Sequence, residues 1–132
     1  MIIGISPDRL PSVWHTVAPL LKKAFDRVDY PFSMDEILDR ITSTDMQLWI
    51  THDAKLAWIT RILVMPRYKV LELVACGGKG LDECIAESDR LFTAFASHHG
   101  CKYIEAQGRR GWEKVAQPLG YQFGWITLRK EV

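Results

Sequence analysis

The chain has 132 residues, 48% hydrophobic and 25% charged, with a formal net charge of +1. That is the length and balance of one soluble globular domain with a core of its own. It argues against a nucleic-acid-coating surface, which needs a marked basic excess, and against a membrane-embedded chain, since no apolar run reaches the ~20 residues of a span.

Residues 2–6 read as a short strand stopped by Pro7. The start, Met1-Ile2-Ile3-Gly4-Ile5, has no basic flank and is too short for a signal peptide. Pro11 suits the first turn of a helix, where its missing amide costs no intrahelical bond. Val13, Trp14, Val17, Leu20, Leu21, Ala24, Phe25 and Val28 then recur at helical spacing. Pro19 falls inside that pattern and is expected to kink the helix or split it in two. Ser33-Met34-Asp35-Glu36 is a capping box, and it opens a short helix with Ile37, Leu38 and Ile41 on one face. Residues 46–51 alternate as a strand, His52-Asp53-Ala54-Lys55 fits a hairpin loop, and 56–64 form the second strand. Trp49 and Trp58 are expected to pair across this hairpin. Arg67-Tyr68-Lys69 turns the chain into a strand over 70–76, which runs into Gly77-Gly78-Lys79-Gly80. A long amphipathic helix follows over 81–99 and closes at Gly100, with Leu81, Cys84, Ile85, Ser88, Leu91, Phe92, Phe95 and Ala96 as its buried stripe. Residues 102–107 form the next strand and 112–119 a short helix with Gly120 as its C-cap. Residues 121–129 are expected to be the last strand.

This order gives an α/β (α+β) layout, a single domain over 1–132 whose first half is mostly antiparallel. The strands 70–76 and 102–107 flank one helix, so a right-handed crossover makes them parallel. The junction between the first of them and the helix carries the clearest chemical signal. Unpaired amides at a helix start, together with the helix dipole, attract a phosphate, and glycine lets a ligand approach the backbone. Val74, Ala75, Cys76, Gly77, Gly78, Lys79 and Gly80 are therefore the candidate cofactor-binding residues.

Gly78-Lys79-Gly80 at this junction, and Leu119-Gly120-Tyr121 ahead of a last strand, resemble the GNAT superfamily of acyl-CoA-dependent N-acetyltransferases. The likeness is clearest over 56–130. Gly108-Arg109-Arg110-Gly111-Trp112 with Leu119-Gly120-Tyr121 also resembles small GNAT-like proteins of phages and prophages. The resemblance implies a mostly antiparallel mixed sheet flanked by helices, acetyl-CoA as cofactor and an amine acceptor, either a small molecule or a protein. Three positions depart from the family pattern. Ala75 stands where the loop normally opens with Gln or Arg, and Ala116 stands where many members carry a general-acid tyrosine. The family asparagine near the start of the short helix is replaced around Arg109. Asp82 and Glu83 also put negative charge in the first turn of the long helix, where it suits the dipole but opposes a dianionic ligand.

Acyl transfer to an amine needs a base, an oxyanion donor and a proton for the departing thiolate. Glu72, on the strand six residues before Gly78, is the candidate base; the competing reading is a surface-facing strand carboxylate paired with Lys or Arg. Tyr121 is the candidate donor to the thiolate; the competing reading is a tyrosine at the edge of the core. Cys76 sits at a helix start, where a thiol can be reactive, but no histidine lies near it in sequence and packing explains it. His15, His52, His98 and His99 have no metal spacing with the cysteines, so no metal is expected. Trp112 with Arg109 and Arg110 reads either as a recognition rim or, preferred, as an anchor of the short helix on the sheet.

Three cysteines at irregular spacing favour reduced thiols and the cytoplasm, the host's if the protein is phage-encoded. Two functions follow. One is a GNAT-like acyltransferase using acetyl-CoA. The other is a catalytically degenerate, phage-type GNAT-like protein that acts by protein binding or assembly. No nucleic-acid or membrane partner is indicated, and an exposed sheet edge leaves room for a homodimer.

Overall fold

In a computed structural model of the chain, residues 1–108 and 111–132 are described. Arg109 and Arg110, with the recognition rim and the asparagine replacement assigned to them, lie outside the described residues. The elements are β1 (Ile2–Ile5), α1 (Leu10–Asp26), α2 (Met34–Thr42), β2 (Gln47–Thr51), β3 (Leu56–Val64), β4 (Lys69–Gly78), α3 (Leu81–His98), β5 (Cys101–Ala106) and α4 (Gly111–Ala116). A 3-10 turn over Gln117–Leu119 ends the last helix, since Pro118 has no amide with which to continue it.

Five strands make one sheet in the order β1-β2-β3-β4-β5. The first three pairings are antiparallel and β4–β5 is parallel, as the α3 crossover requires. Alternation along the strands divides the core between the two faces. Leu48, Ile50, Ala57 and Ile59 face α1 and α2, where Val17, Leu21, Phe25, Ile37 and Ile41 cover them. Trp49, Trp58 and Leu71 face α3 and meet Phe92 and Ala96. Trp49 and Trp58 are register partners, and the Trp49 indole donates to Thr60 Oγ1 at 2.9 Å. That bond satisfies a polar group which burial would otherwise penalise. Ser33 and Glu36 close the capping box in both directions at the start of α2.

Three expectations change. Of the kink or split expected at Pro19, the split does not occur: α1 runs continuously over 17 residues. The missing hydrogen bond costs about 3 kcal/mol, and burial of Leu10, Val17, Leu21 and Phe25 on one face, at about 1.5–3 kcal/mol each, offsets it. The strand expected over 121–129 does not form, and residues 121–132 carry no regular secondary structure. Strand preference is a fit to a paired and packed surface, and this segment has neither here. Finally, Trp112 is 39% exposed and belongs to neither core cluster. Its ring lies against Gly108, where an added Cβ would stand 2.8 Å from Cδ1, so it folds over the preceding loop instead of anchoring α4 to the sheet.

Candidate functional site: the opening between β4 and β5

The last strand pair of the sheet parts before β4 ends. β4 stays paired with β3 as far as Gly78 but with β5 only as far as Leu73. From Val74 onward the second edge of β4 has no strand partner among the described residues, so its alternate amides and carbonyls are open to a ligand. The register with β3 slips at the same point: Thr60 faces Leu73 and Ile59 faces Ala75, leaving Val74 as the extra residue of a bulge. The bulge turns Val74 and Ala75 both toward the α1 core, while Leu73 and Cys76 pack on the α3 side.

The glycine turn lies beyond the bulge, and two of its glycines answer to packing. A Cβ on Gly77 would stand 2.2 Å from the Leu20 carbonyl oxygen of α1. Gly78, at φ +119°, lies as tightly against β3, where a Cβ would stand 2.1 Å from the Lys55 carbonyl oxygen. The Lys79 amide is also engaged, donating to Lys55 O at 2.9 Å. Gly80 differs. It caps α3 in the left-handed region with no side chain on the helix amides, and the space around it is open. The nearest atom to its missing Cβ is Glu83 Oε2, at 3.8 Å. A carboxylate therefore lies at the helix start.

Glu72 sits just before the bulge and faces the α1–α2 side. It is 9% exposed and accepts from Arg61 Nε at 3.0 Å. The pairing is the one named in the alternative to a catalytic role, but the carboxylate is buried and not surface-facing as that alternative had it; the pair fixes its orientation. Tyr30, after α1, completes a cluster with them. Burial is the main cause that raises its hydroxyl above the ordinary tyrosine value; the Arg61 charge works against the shift and the Glu72 charge with it. Tyr30 Oη is buried without a hydrogen-bond partner among the described residues, the kind of orphan that a ligand can satisfy. Beside it, Phe25 meets the Tyr30 ring at a tilt and Phe32 meets it edge-on, at centroid distances of 4.6 and 5.5 Å. They line a cavity of about 410 Å³ together with Asp26, Asp29 and Asp35.

Tyr121 lies elsewhere. Burial, and secondarily Asp89 of α3, push its hydroxyl up to about 12. Asp89 belongs to α3, which covers the face of the sheet opposite Glu72. Cys76 is half-buried near Cys84, and desolvation pushes its thiol up to about 12, which suits a packing residue. All three cysteines are free, and no cluster among the described residues could hold a metal ion. No helix among the described residues is long and apolar enough to cross a membrane.

Sequence reasoning missed Arg61 and Tyr30. Arg61 was within reach: counting back from the 65–68 turn pairs Val64 with Lys69, and so Arg61 with Glu72. Nothing local in the sequence signals the approach of Tyr30.

No protein-family model matches the sequence, and neither does any curated protein. Solved structures do match its fold. A ribosomal-protein-alanine N-acetyltransferase from Brucella melitensis superposes with a TM-score of 0.70 at 12% identity, covering 100% of this chain and 99% of the other. An aminoglycoside acetyltransferase from an uncultured soil metagenomic sample, in complex with sisomicin, gives 0.71 at 9% identity, with coverages of 100% and 95%. An aminoglycoside N-acetyltransferase in complex with CoA gives 0.66 at 15% identity, with the same coverages. The chain has the GNAT-type N-acyltransferase fold, a mixed and mostly antiparallel sheet flanked by helices.

Proposed function

We propose that the protein is an acyltransferase of the GNAT type, taking an acyl group from acyl-CoA to an amine. The observation that carries this reading is the opening of β4 away from β5 at a bulge, immediately ahead of an uncapped helix start. Acyl-CoA would supply the activated thioester. Its diphosphate would be held by the free backbone edge of residues 74–78 and by the amides around Gly80 and the first turn of α3. The open space at Gly80 fits that role, whereas Gly77 and Gly78 serve packing and the Lys79 amide is engaged.

The acceptor amine would enter on the α1–α2 side. There Tyr30 Oη offers an unpartnered hydroxyl among the described residues, and Asp29 and Asp35, beside the Lys22–Asp26 ion pair, leave the cavity wall net negative, which suits a cationic amine. Glu72, oriented by Arg61, would receive the proton that the amine loses on attack. Tyr121 would stand on the thiolate side; a hydroxyl near 12 remains protonated at neutral pH and so remains a donor.

A second reading has its own observation. Glu83 Oε2 lies at the helix start and opposes a diphosphate there, which favours a catalytically degenerate, phage-type protein acting by protein binding or assembly. Thermal unfolding with and without CoA separates the two. A ligand selective for the native state at 100 times its Kd adds about 2.7 kcal/mol, so millimolar CoA should raise Tm by several degrees if Kd is about 10 μM. An unchanged Tm together with no acetyl transfer to a panel of polyamines would leave only the second reading.

A further inference from the structure

The turn from β3 to β4 and the start of β5 build a basic, aromatic surface that the opening between β4 and β5 does not use. The register of β5 with β4 slips there: Lys69 faces Cys101 and Val70 faces Tyr103, leaving Lys102 as the extra residue of a bulge. Cys101 and Ile104 pack on the α3 side, and the bulge turns Lys102 and Tyr103 together to the opposite face. On that face the Tyr68 and Tyr103 rings meet edge-on at 5.2 Å, and Lys102 Nζ lies 5.4 Å from each centroid. α1 packs on β3 and β4, while the helix on β5 is α3 on the other side, so Tyr103 stays 47% exposed. At the hairpin tip the Met65 amide donates to Tyr68 O at 3.0 Å, and the closed turn exposes Val64 at 72% and Met65 at 52%. Arg67, Lys69 and Lys102 are exposed cations, and none of them forms an ion pair among the described residues. Lys69 Nζ donates to the His99 carbonyl at 3.5 Å. Glu105 is the only carboxylate on β5.

We propose that this surface docks an acidic, amphipathic segment of another protein, its carboxylates on Arg67 and Lys102 and its apolar side chains over Met65 and Tyr103. Charge sets the sign of the partner. Three cations stand here against one carboxylate, in a chain whose formal net charge is only +1. The exposed apolar groups set its class. Tyrosine and arginine are the usual anchors of a protein interface, and methionine adapts to the partner's shape. Single-stranded nucleic acid needs open ring faces along a longer basic track, whereas here the two rings meet edge-on beneath one lysine. Tyr103 stands level with Val70, two residues and about 7 Å along the strand from Glu72 on the same face. A docked partner is thereby held beside the candidate base, yet the docking does not depend on acyl transfer and stands if the CoA reading fails.

Amide spectra of the isotope-labelled full chain, titrated with a short peptide alternating Glu and Leu, test this. The amides of residues 64–69 and 101–104 should shift together, saturating with a Kd on the order of 10–100 μM that weakens as salt is raised. The double variant Arg67→Glu/Lys102→Glu should bind at least about tenfold more weakly, and Tyr103→Ala about fivefold more weakly with no change of charge. Lys114→Glu on α4, the control, should stay within about twofold of wild type. All four positions are exposed, so the circular-dichroism melts of the variants should match that of wild type. No shift at millimolar peptide overturns the proposal, as does equal binding of the peptide with Lys in place of Glu, or full affinity in the double variant. A single-stranded oligouridylate that shifts the same amides at lower concentration than the peptide assigns the surface to nucleic acid and overturns it too.

Discussion

Replacing Gly77 by alanine puts one methyl group where there is no room. The new Cβ would stand 2.2 Å from the Leu20 carbonyl oxygen and 2.8 Å from its carbon, against the 3.4 Å and more of ordinary contact. Both atoms are backbone in the middle of α1, so no side-chain rotation relieves the clash. The helix must lift from β4 by about 1 Å, loosening Val17, Leu21 and Phe25 over the sheet. Overpacking of this kind costs about 1–3 kcal/mol, and a rigid neighbour argues for the upper end. For a chain of this size about 3 kcal/mol is about 10 °C in Tm. Gly80→Ala is the control, since it meets open space and carries only the left-handed backbone cost of about 1–2 kcal/mol. Urea and thermal melts followed by circular dichroism should rank Gly77→Ala well below Gly80→Ala in stability. If Gly77→Ala stays within about 0.5 kcal/mol of wild type, the packing account of this glycine is wrong.

Further expectations concern charge and thiol chemistry. Glu83→Gln removes the carboxylate from the proposed diphosphate site and should tighten CoA about three- to tenfold by calorimetry, with the gain shrinking in high salt. The same change weakens α3 by about 0.3–1 kcal/mol, because an acidic residue is lost from its positive end, so Tm and affinity should move in opposite directions. Glu72→Gln should cut turnover at least a hundredfold while CoA affinity stays within twofold; an equal fall in both removes Glu72 from the role of base. With its thiol pushed up to about 12, Cys76 is thiolate in about one molecule in 10,000 at pH 8, and it should resist a thiol reagent until the protein unfolds. Fast labelling of Cys76 in the native state would contradict its burial.

What the sequence revealed and what it hid divide along the range of the interactions. The 46–64 hairpin was legible because period-two alternation and the turn at 52–55 are local, and so was the capping box at Ser33 and Glu36. The parallel β4–β5 pair followed from one helix and a handedness rule. The purpose of Gly77 was not legible, because the carbonyl that requires it belongs to Leu20 on a distant helix. The bulge at Val74 has no signature in Leu73-Val74-Ala75. The strand pattern over 121–129 was real as composition, yet whether it ladders depends on which edge it meets. Glu72 was found by its place on the strand, but Arg61 and Tyr30, which define its surroundings, come from two other elements.

Acyl-CoA binding as proposed requires a diphosphate site between the opened edge of β4 and the start of α3. Amide spectra of isotope-labelled protein titrated with CoA test it residue by residue. The amides of residues 74–78 and of Gly80, Leu81 and Asp82 should shift with one saturating curve, while those of β1 and β2 stay still. Shifts confined to other surfaces, or none at millimolar CoA, would contradict it.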